Sequence, residues 1–230
     1  MLRAAQLKPA ASLTTSVFQA VRENIISGQL APGSKVRAAD IGDLYGCALT
    51  TVREALSRLA AEGLVTMEDQ RGFRIAPVSR SDLLDLTQTR VEIECTALRL
   101  SMQKGDVDWE SAVVGSCHRL CREPFLSGAD ARPTRTWIAL HQTFHGKLLN
   151  GCGSPRLIEI CGRLYQQADR YRYLSTRMPA RDVEKEHEAI ASAAVDRHVE
   201  RATSMLSEHY WITTRMIVDL AEKGDFELVK

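Results

Sequence analysis

The chain has 230 residues, a length that corresponds to one large domain or two small ones. Its 44% of hydrophobic and 26% of charged residues exclude a disordered chain, a collagen-like chain and a coiled-coil rod. The net charge is +1, from 30 Lys and Arg against 29 Asp and Glu, and this balance taken alone argues against a nucleic-acid-binding protein.

The sequence also sets expectations about the compartment. No apolar run approaches the roughly 18 residues of a transmembrane helix, and the N-terminal segment lacks the continuous apolar stretch of a secretion signal. Six cysteines are too sparse in this length for a disulfide scaffold, so free thiols are expected. We therefore predict a cytoplasmic protein that does not enter a membrane.

The first third of the chain changes from a helical to a strand-like period. Residues 1–11, rich in Ala, are predicted to form a flexible tail. Apolar residues then recur at helical spacing, and two short apolar runs flank a polar turn. The predicted elements are three helices, Ser12–Gly28, Ala38–Tyr45 and Thr50–Gly63, and two strands, Leu64–Met67 and Phe73–Ala76. This order predicts a winged helix-turn-helix over residues 12–76.

The remainder, residues 79–224, is predicted to contain helices only. Glycines, prolines and short polar segments separate the periodic stretches. The six predicted helices lie near 79–103, 107–122, 131–150, 155–175, 180–196 and 198–222. We therefore predict a mainly α protein in which an antiparallel six-helix bundle follows the winged unit.

The start of the third helix carries residues suited to DNA. The first residues of a recognition helix face base edges and phosphates, and here they include Thr50, Thr51 and Arg53. Hydroxyls at a helix N-terminus suit phosphate oxygens, and Arg53 can reach guanine or phosphate. Arg71 and Gly72 suit a minor-groove contact at the tip of the wing. The alternative is that Thr50 caps the helix and Arg53 pairs with a neighbouring acid.

Four of the six histidines are spaced for a common site. His141 and His145 are four residues apart on one predicted helix and therefore share a face. His187 and His209 lie at similar distances, about 15 Å, from the connection between the last two helices, so an antiparallel hairpin would bring them level. The pattern predicts a metal site inside the bundle. The alternative is four unrelated histidines on the surface or in the core.

Cys117, His118 and Cys121 offer a second set of ligand types. The two cysteines share a helix face, but a structural zinc site usually has four such ligands. Because no second pair stands at a matching spacing, we interpret both cysteines as core thiols.

Several segments of the chain resemble those of a known family. The segments VFQAVRENIISGQLAPGSKV, TTVREALSRLAAEGLV and RGFRI are similar to the GntR family of bacterial transcription regulators. The all-helical remainder resembles the FadR subfamily, whose effector domain is called FCD, and the count of six helices is typical of its VanR-like branch. The run WIALHQTFH, the Gly-Cys-Gly turn and the run ADRYR resemble the carbon-starvation-induced, CsiR-like regulators.

Two places depart from the family pattern. Ahead of the second helix the family often has Pro-x-Glu-Arg, whereas here Ala39 stands at the place of the DNA-contacting Arg and Arg37 is the candidate substitute. Before the recognition helix the family often has Ser or Thr followed by Arg, whereas here Ala48 and Leu49 occupy these positions. We therefore do not expect the operator sequence of the relatives.

The resemblance implies a divalent metal bound by one Asp and three His. The family motif Asp-x-x-x-His corresponds to His141 and His145, so His141 replaces the Asp. An all-nitrogen set favours Zn²⁺, Ni²⁺ or Fe²⁺ over Mg²⁺, Ca²⁺ or Mn²⁺, unless His141 turns away and leaves three ligands. In both cases open coordination positions would let an effector carboxylate bind the metal.

An acidic effector would also need cationic partners. Arg90 is the first candidate, since the family often carries a pocket Arg at this position, and Arg170 and Arg172 are second candidates. A buried Arg binds a carboxylate bidentately. The alternative is that these arginines are solvated.

The functional prediction is a homodimeric transcription regulator that binds a near-palindromic operator DNA. We expect a repressor that a small carboxylic acid releases, and the CsiR-like resemblance implies a short dicarboxylate such as glutarate or 2-hydroxyglutarate. One alternative is a helical-bundle metalloenzyme, for which we find no clear general base beside the histidines. The other is a metal sensor, in which the ion itself is the signal.

Overall fold

A computed structural model describes residues 12–68, 72–127, 132–174, 181–224 and 228. The described chain forms two compact units. The first unit contains the described residues up to Arg80, the segment Asp169–Leu174 and Leu228, and the second contains the described residues of Ser81–Ala168 and residues 181–224. The predicted tail, residues 1–11, lies outside the described residues.

The first unit contains the three predicted helices. They are α1 (Leu13–Ile26), α2 (Ala38–Tyr45) and α3 (Leu49–Ala61). The Ser12 hydroxyl accepts a hydrogen bond from the Thr15 amide and so caps α1, as the sequence predicts. Helix α2 ends at Gly46, whose φ of +62° is the left-handed conformation that glycine adopts without strain. The tight turn that follows leads directly into α3.

Three short strands complete the first unit. They are β1 (Lys35–Val36), β2 (Val65–Glu68) and β3 (Gly72–Ile75), and they form an antiparallel sheet in the order β1-β3-β2. In the register, Val65 faces Ile75. The sequence predicts β2 and β3 but not β1, because two residues are too few to show a strand period. The buried side of α3, with Val52, Leu56 and Leu59, packs into the core of this unit.

The helices of the second region match the prediction within a few residues at each end. They are α4 (Arg80–Lys104), α5 (Val107–Arg122), α6 (Arg135–Leu149), α7 (Pro155–Leu174), α8 (Val183–Val195) and α9 (Val199–Glu222). The last turns of α7, Asp169–Leu174, are assigned to the first unit. A 3-10 turn, Asn150–Cys152, follows α6.

The prediction of helices only is wrong at one place. Two short strands, β4 (Leu126–Ser127) and β5 (Arg132–Pro133), pair antiparallel ahead of α6. Helix α6 therefore starts at Arg135 rather than near residue 131. Its start is fixed by Thr134, whose hydroxyl accepts a hydrogen bond from the Trp137 amide at 2.9 Å.

The buried face of α6 places the histidines in the core of the second unit. His141 and His145 share this face with Trp137, Phe144 and Leu148, all of which are buried. These positions follow the helical spacing of three and four residues, so one side of the helix carries both apolar side chains and imidazoles.

Candidate functional site

The N-terminal end of α3 presents polar side chains to solvent. Thr50 and Arg53 are exposed, and Thr51 is half-buried. Ala48 occupies the N-cap position and makes no side-chain capping bond, so Thr50 lies within the first turn and is not the cap. Within the part of the chain that the structure describes, Arg53 makes no hydrogen bond or ion pair. Its guanidinium is therefore available to an external partner.

The other candidate DNA contacts lie on the turns around this helix. Arg37 is exposed at the N-cap of α2. Gly72 is exposed at the start of β3 with a φ of +91°, a conformation that favours glycine. Arg71 lies outside the described residues.

The four histidines converge in the second unit. His141 and His145 come from α6, His187 from α8 and His209 from α9, and one ring nitrogen of each lies within 4.8 Å of the others. Their exposed fractions are 2%, 2%, 1% and 5%. The remaining histidines, His118 and His198, are exposed. We call this buried set the His cluster.

Polar partners fix the orientation of three of these rings. The Nδ1 atom of His141 lies 2.8 Å from the Tyr165 hydroxyl, and that of His145 lies 3.3 Å from the Tyr210 hydroxyl. The Nδ1 atom of His209 lies 2.9 Å from a Glu186 carboxylate oxygen. Partners on Nδ1 leave Nε2 directed at the common centre, and the Nε2 atoms of His141 and His145 are 3.1 Å apart.

This donor set fits a borderline divalent metal ion. In a tetrahedral zinc site with Zn–N bonds of about 2.0 Å, the nitrogens lie about 3.3 Å apart. The spacing within the His cluster requires only small side-chain movements to reach that geometry. Four imidazoles without a carboxylate favour Zn²⁺, Ni²⁺ or Fe²⁺. His141 lies within the cluster, so the structure does not support the alternative in which this ring turns away.

The ion pair of Arg181 and Glu186 contacts His209. Arg181 binds the Glu186 carboxylate, the Thr213 hydroxyl at 2.7 Å and the His209 carbonyl at 3.0 Å. Burial raises the pKa of Glu186, but hydrogen bonds from His209 and Arg181 outweigh it and lower that pKa to about 2. The carboxylate therefore stays ionised at neutral pH and accepts a hydrogen bond from Nδ1–H of His209. Glu186 and Arg181 were not predicted from the sequence, because no fixed spacing connects them to His209.

A second buried network lies behind His145. Nε of Arg90 donates to Glu94 at 2.6 Å, and the Tyr210 hydroxyl donates to the same carboxylate at 2.5 Å. Arg90 and Glu94 are 5% and 1% exposed, and the guanidinium lies 4.0 Å from the centre of the Tyr210 ring. Burial lowers the pKa of Arg90, but the charge of Glu94 outweighs it, so the ion pair persists. Glu94 was not predicted as a site residue, although its spacing of four residues from Arg90 indicates an ion pair on one helix face.

A cavity of about 150 Å³ opens beside these groups. It is comparable in size to cavities of about 150 Å³ that hold benzene in other proteins. Its walls include polar groups and small residues from α4, α6 and α7: Glu94, Gln142, His145, Gly146, Cys161, Gly162 and Tyr165. One member of the His cluster, His145, and one member of the buried ion pair, Glu94, therefore line the cavity. Arg90 itself pairs with Glu94 and is not among the lining residues.

Of the two further candidate arginines, Arg170 lies away from the His cluster. Arg170 belongs to the first unit, where it donates to the Ala76 carbonyl at 3.5 Å and lies over the Tyr171 ring. The side chain of Arg172 lies outside the described residues. The structure therefore does not bring Arg170 to the His cluster.

The cysteine pair has the properties of core thiols. The sulfur atoms of Cys117 and Cys121 are 3.9 Å apart, whereas His118 between them is exposed. Burial raises the pKa of Cys117 to about 12, so it is a neutral thiol at physiological pH. Among the described residues, no group of three or more possible metal ligands includes this pair. All six cysteines are free.

The sequence matches two protein families that together span both units. Residues 85–211 match the FCD domain, and residues 13–75 match the family described as bacterial regulatory proteins, gntR family. The winged helix-turn-helix and the helical region thus each correspond to one family. Within the described residues, no helix combines the length and apolar character needed to cross a membrane.

Two curated relatives align over most of the chain. The uncharacterised HTH-type transcriptional regulator BphR of Paraburkholderia xenovorans is 40% identical over 207 residues, 86% of this chain and 82% of that protein. The HTH-type transcriptional repressor GlaR of Escherichia coli is 31% identical over 216 residues, 90% of this chain and 96% of that protein. Both relatives are named as transcription regulators, and this finding overturns the metalloenzyme alternative.

Solved structures support the same fold. McbR/YncC of E. coli superimposes with a TM-score of 0.72 at 19% identity, covering 91% of this chain and 98% of that one. A GntR regulator from Rhodococcus gives a TM-score of 0.71 at 23% identity, with 91% and 99% coverage. From the family matches and the curated relatives, we conclude that this chain is a transcription regulator of the GntR family with a C-terminal FCD domain.

Proposed function

We propose that this regulator is a repressor whose release from operator DNA is controlled by a small carboxylic acid bound beside a metal ion. The observation that carries the proposal is the His cluster, four buried imidazoles oriented by outer partners, with a cavity of about 150 Å³ against His145. The exposed start of α3 supplies the DNA contacts. The relative GlaR is named as a repressor, which supports the direction of control.

On the DNA side, Thr50, Thr51 and Arg53 would enter the major groove while Arg37, Arg71 and Gly72 contact the flanking backbone and minor groove. A homodimer would place two α3 helices on successive turns, about 34 Å apart, and would read a near-palindromic operator. The net charge of +1 gives no broad basic surface, so we expect modest non-specific binding with a shallow salt dependence.

On the ligand side, His141, His145, His187 and His209 would hold the metal, with Zn²⁺ the first candidate and Ni²⁺ or Fe²⁺ the others. A bound metal supplies positive charge and, when more than four-coordinate, an open position for a carboxylate. Outer partners such as Tyr165 and Glu186 would keep the rings in their tautomer and orientation.

The charges around the cavity make acid binding depend on that metal. Glu94 lines the cavity and pairs with Arg90. This pairing cancels the positive charge of Arg90, which was predicted to bind the carboxylate of the effector. A carboxylate entering the cavity would meet no other charged side chain from the described lining. The metal is then the dominant attraction for an anion. The volume suits an acid of four to six carbons, and glutarate and 2-hydroxyglutarate are the first candidates.

Release from DNA requires that the acid bind one dimer conformation more tightly than the other. The coupling free energy between acid and DNA is then reciprocal, so operator DNA weakens acid binding by the same factor.

A calorimetric screen tests the proposal directly. The metal-loaded full chain is titrated with C4–C6 mono- and dicarboxylates, and each binder is added to a mobility-shift assay with DNA from upstream of the gene. We expect one acid to bind and to release the DNA. His145→Ala and His187→Ala should weaken metal and acid binding and leave operator binding largely intact, whereas His198→Ala, at an exposed histidine, is the matched control. The proposal fails if the protein binds no specific DNA site, or if no acid changes that binding.

The metal-sensor alternative keeps one supporting observation. The His cluster offers four nitrogen ligands, which would fill a four-coordinate site and leave no position for an acid. In that case metal removal alone changes operator affinity, and an acid that still binds has the same affinity with and without metal.

A further inference from the structure

We propose that Leu49 is a specificity-determining residue that reads the methyl group of a thymine in each operator half-site. The inference rests on the proposed operator binding and adds the identity of one base pair to it. Its basis is a large apolar side chain exposed where a recognition helix faces the bases.

Leu49 is the first residue of α3 and is 48% exposed. The other leucines of this helix, Leu56 and Leu59, are fully buried. Ala48, immediately before it, is also exposed. An apolar pair therefore precedes the polar Thr50 at the helix end that enters the major groove in helix-turn-helix proteins.

The tight turn between α2 and α3 positions this side chain. A Cβ atom at Gly42 would lie 3.0 Å from the Cys47 carbonyl oxygen and 3.8 Å from Cδ2 of Leu49. Leu49 therefore lies against α2 on one side and is open on the other. A side chain supported in this way presents a defined apolar surface, which an unsupported surface leucine would not.

The base that matches an apolar contact in the major groove is thymine. In the major groove, guanine presents two acceptors, adenine an acceptor and a donor, and cytosine a donor. Thymine presents one acceptor and, beside it, its C5 methyl group. Leucine can neither donate nor accept a hydrogen bond, so opposite any other base it would remove water from polar atoms without replacing their hydrogen bonds. Leu49 therefore favours thymine by attraction and disfavours the other bases by desolvation.

The test uses a base analogue that lacks only the methyl group. The operator is first selected from a random duplex library by the full chain, and each thymine of the half-site is then replaced by deoxyuridine. We expect one replacement to weaken binding about fourfold, the effect of one buried methyl group. Leu49→Ala should abolish this sensitivity, and Leu49→Arg should replace the selected thymine by guanine.

The matched control is Leu13→Ala, since Leu13 is 46% exposed on α1 and should leave the deoxyuridine profile unchanged. Circular dichroism confirms that the variants are folded. The inference is overturned if wild-type protein binds every deoxyuridine duplex as tightly as the thymine duplex, or if Leu49→Ala keeps the sensitivity. Selection of no motif at all would overturn the proposed operator binding as well, so the two failures are distinguishable.

Discussion

The two units place their candidate functional groups in opposite environments. In the first unit Thr50 and Arg53 are exposed at the start of α3, and neither residue belongs to the hydrophobic core of that unit. In the second unit the four histidines are buried within the helices. Substitution of these exposed residues can therefore change DNA binding without lowering the free energy of unfolding. In the second unit the same buried groups determine both ligand binding and folding, because buried polar groups are costly unless they are paired.

The buried ion pair offers the largest expected effect. Arg90→Ala leaves the Glu94 carboxylate buried without its cation and should lower the free energy of unfolding by about 3–5 kcal/mol. Arg163 and Glu159 form a pair with the same four-residue spacing and the same 2.6 Å distance on an exposed surface. Arg163→Ala should therefore cost less than about 1 kcal/mol. Urea unfolding of both variants makes the comparison, and equal losses would refute the link between burial and stability.

Metal removal should act on the second unit alone. A ligand present at about 100 times its dissociation constant stabilises the folded state by about 2.7 kcal/mol. We expect a chelator to remove that stabilisation from the unit that contains the His cluster, as seen by hydrogen exchange of α6, α8 and α9. Amides of α1 and α3 should keep their protection. Equal loss in both units, or none in the second, would contradict a metal held by these histidines.

Arg53, the proposed DNA-contact residue, should show the reverse behaviour. Arg53→Ala should weaken binding to the selected operator by about 1–3 kcal/mol while the free energy of unfolding changes by less than about 0.5 kcal/mol. The reason is that Arg53 is exposed and has no partner among the described residues. Operator titration and urea unfolding of the same sample measure both quantities. A large loss of stability would show that Arg53 has a structural role.

Thiol reactivity gives the smallest and most local comparison. Burial raises the pKa of Cys117 from 9.0 to about 12. Between these pH values the thiol keeps its proton in the folded protein but loses it in the unfolded chain. Its contribution to stability is complete below pH 9 and is lost as the pH rises towards 12. At pH 7 we expect a disulfide reagent to label half-buried Cys47 faster than Cys117. Faster labelling of Cys117 would indicate a reactive thiolate.

Sequence periodicity was sufficient for most of the fold. The bounds of α2 agree with the prediction, and those of α4 to α9 lie within a few residues of it, because long amphipathic stretches end at glycine, proline or a capping side chain. Strands β1, β4 and β5 were missed, since each has only two residues and its pairing depends on a partner elsewhere in the chain. The first turn of α6 was misplaced for the same reason, as the short sheet ahead of it replaces a helical turn.

The sequence by itself determined helix α3 and the convergence of the four histidines, because both depend on spacing along one helix or across one hairpin. Tertiary structure alone decided the layer behind those histidines. Tyr165, Glu186 and Tyr210 meet the rings from other helices or other turns, at distances that no fixed spacing encodes. It also decided that the Arg90–Glu94 pair is buried and that Arg90 stays out of the cavity lining. The four-residue spacing on α4 brings Glu94 within reach of Arg90, but only the packing of the other helices removes the pair from water, and a buried cation needs that counter-charge.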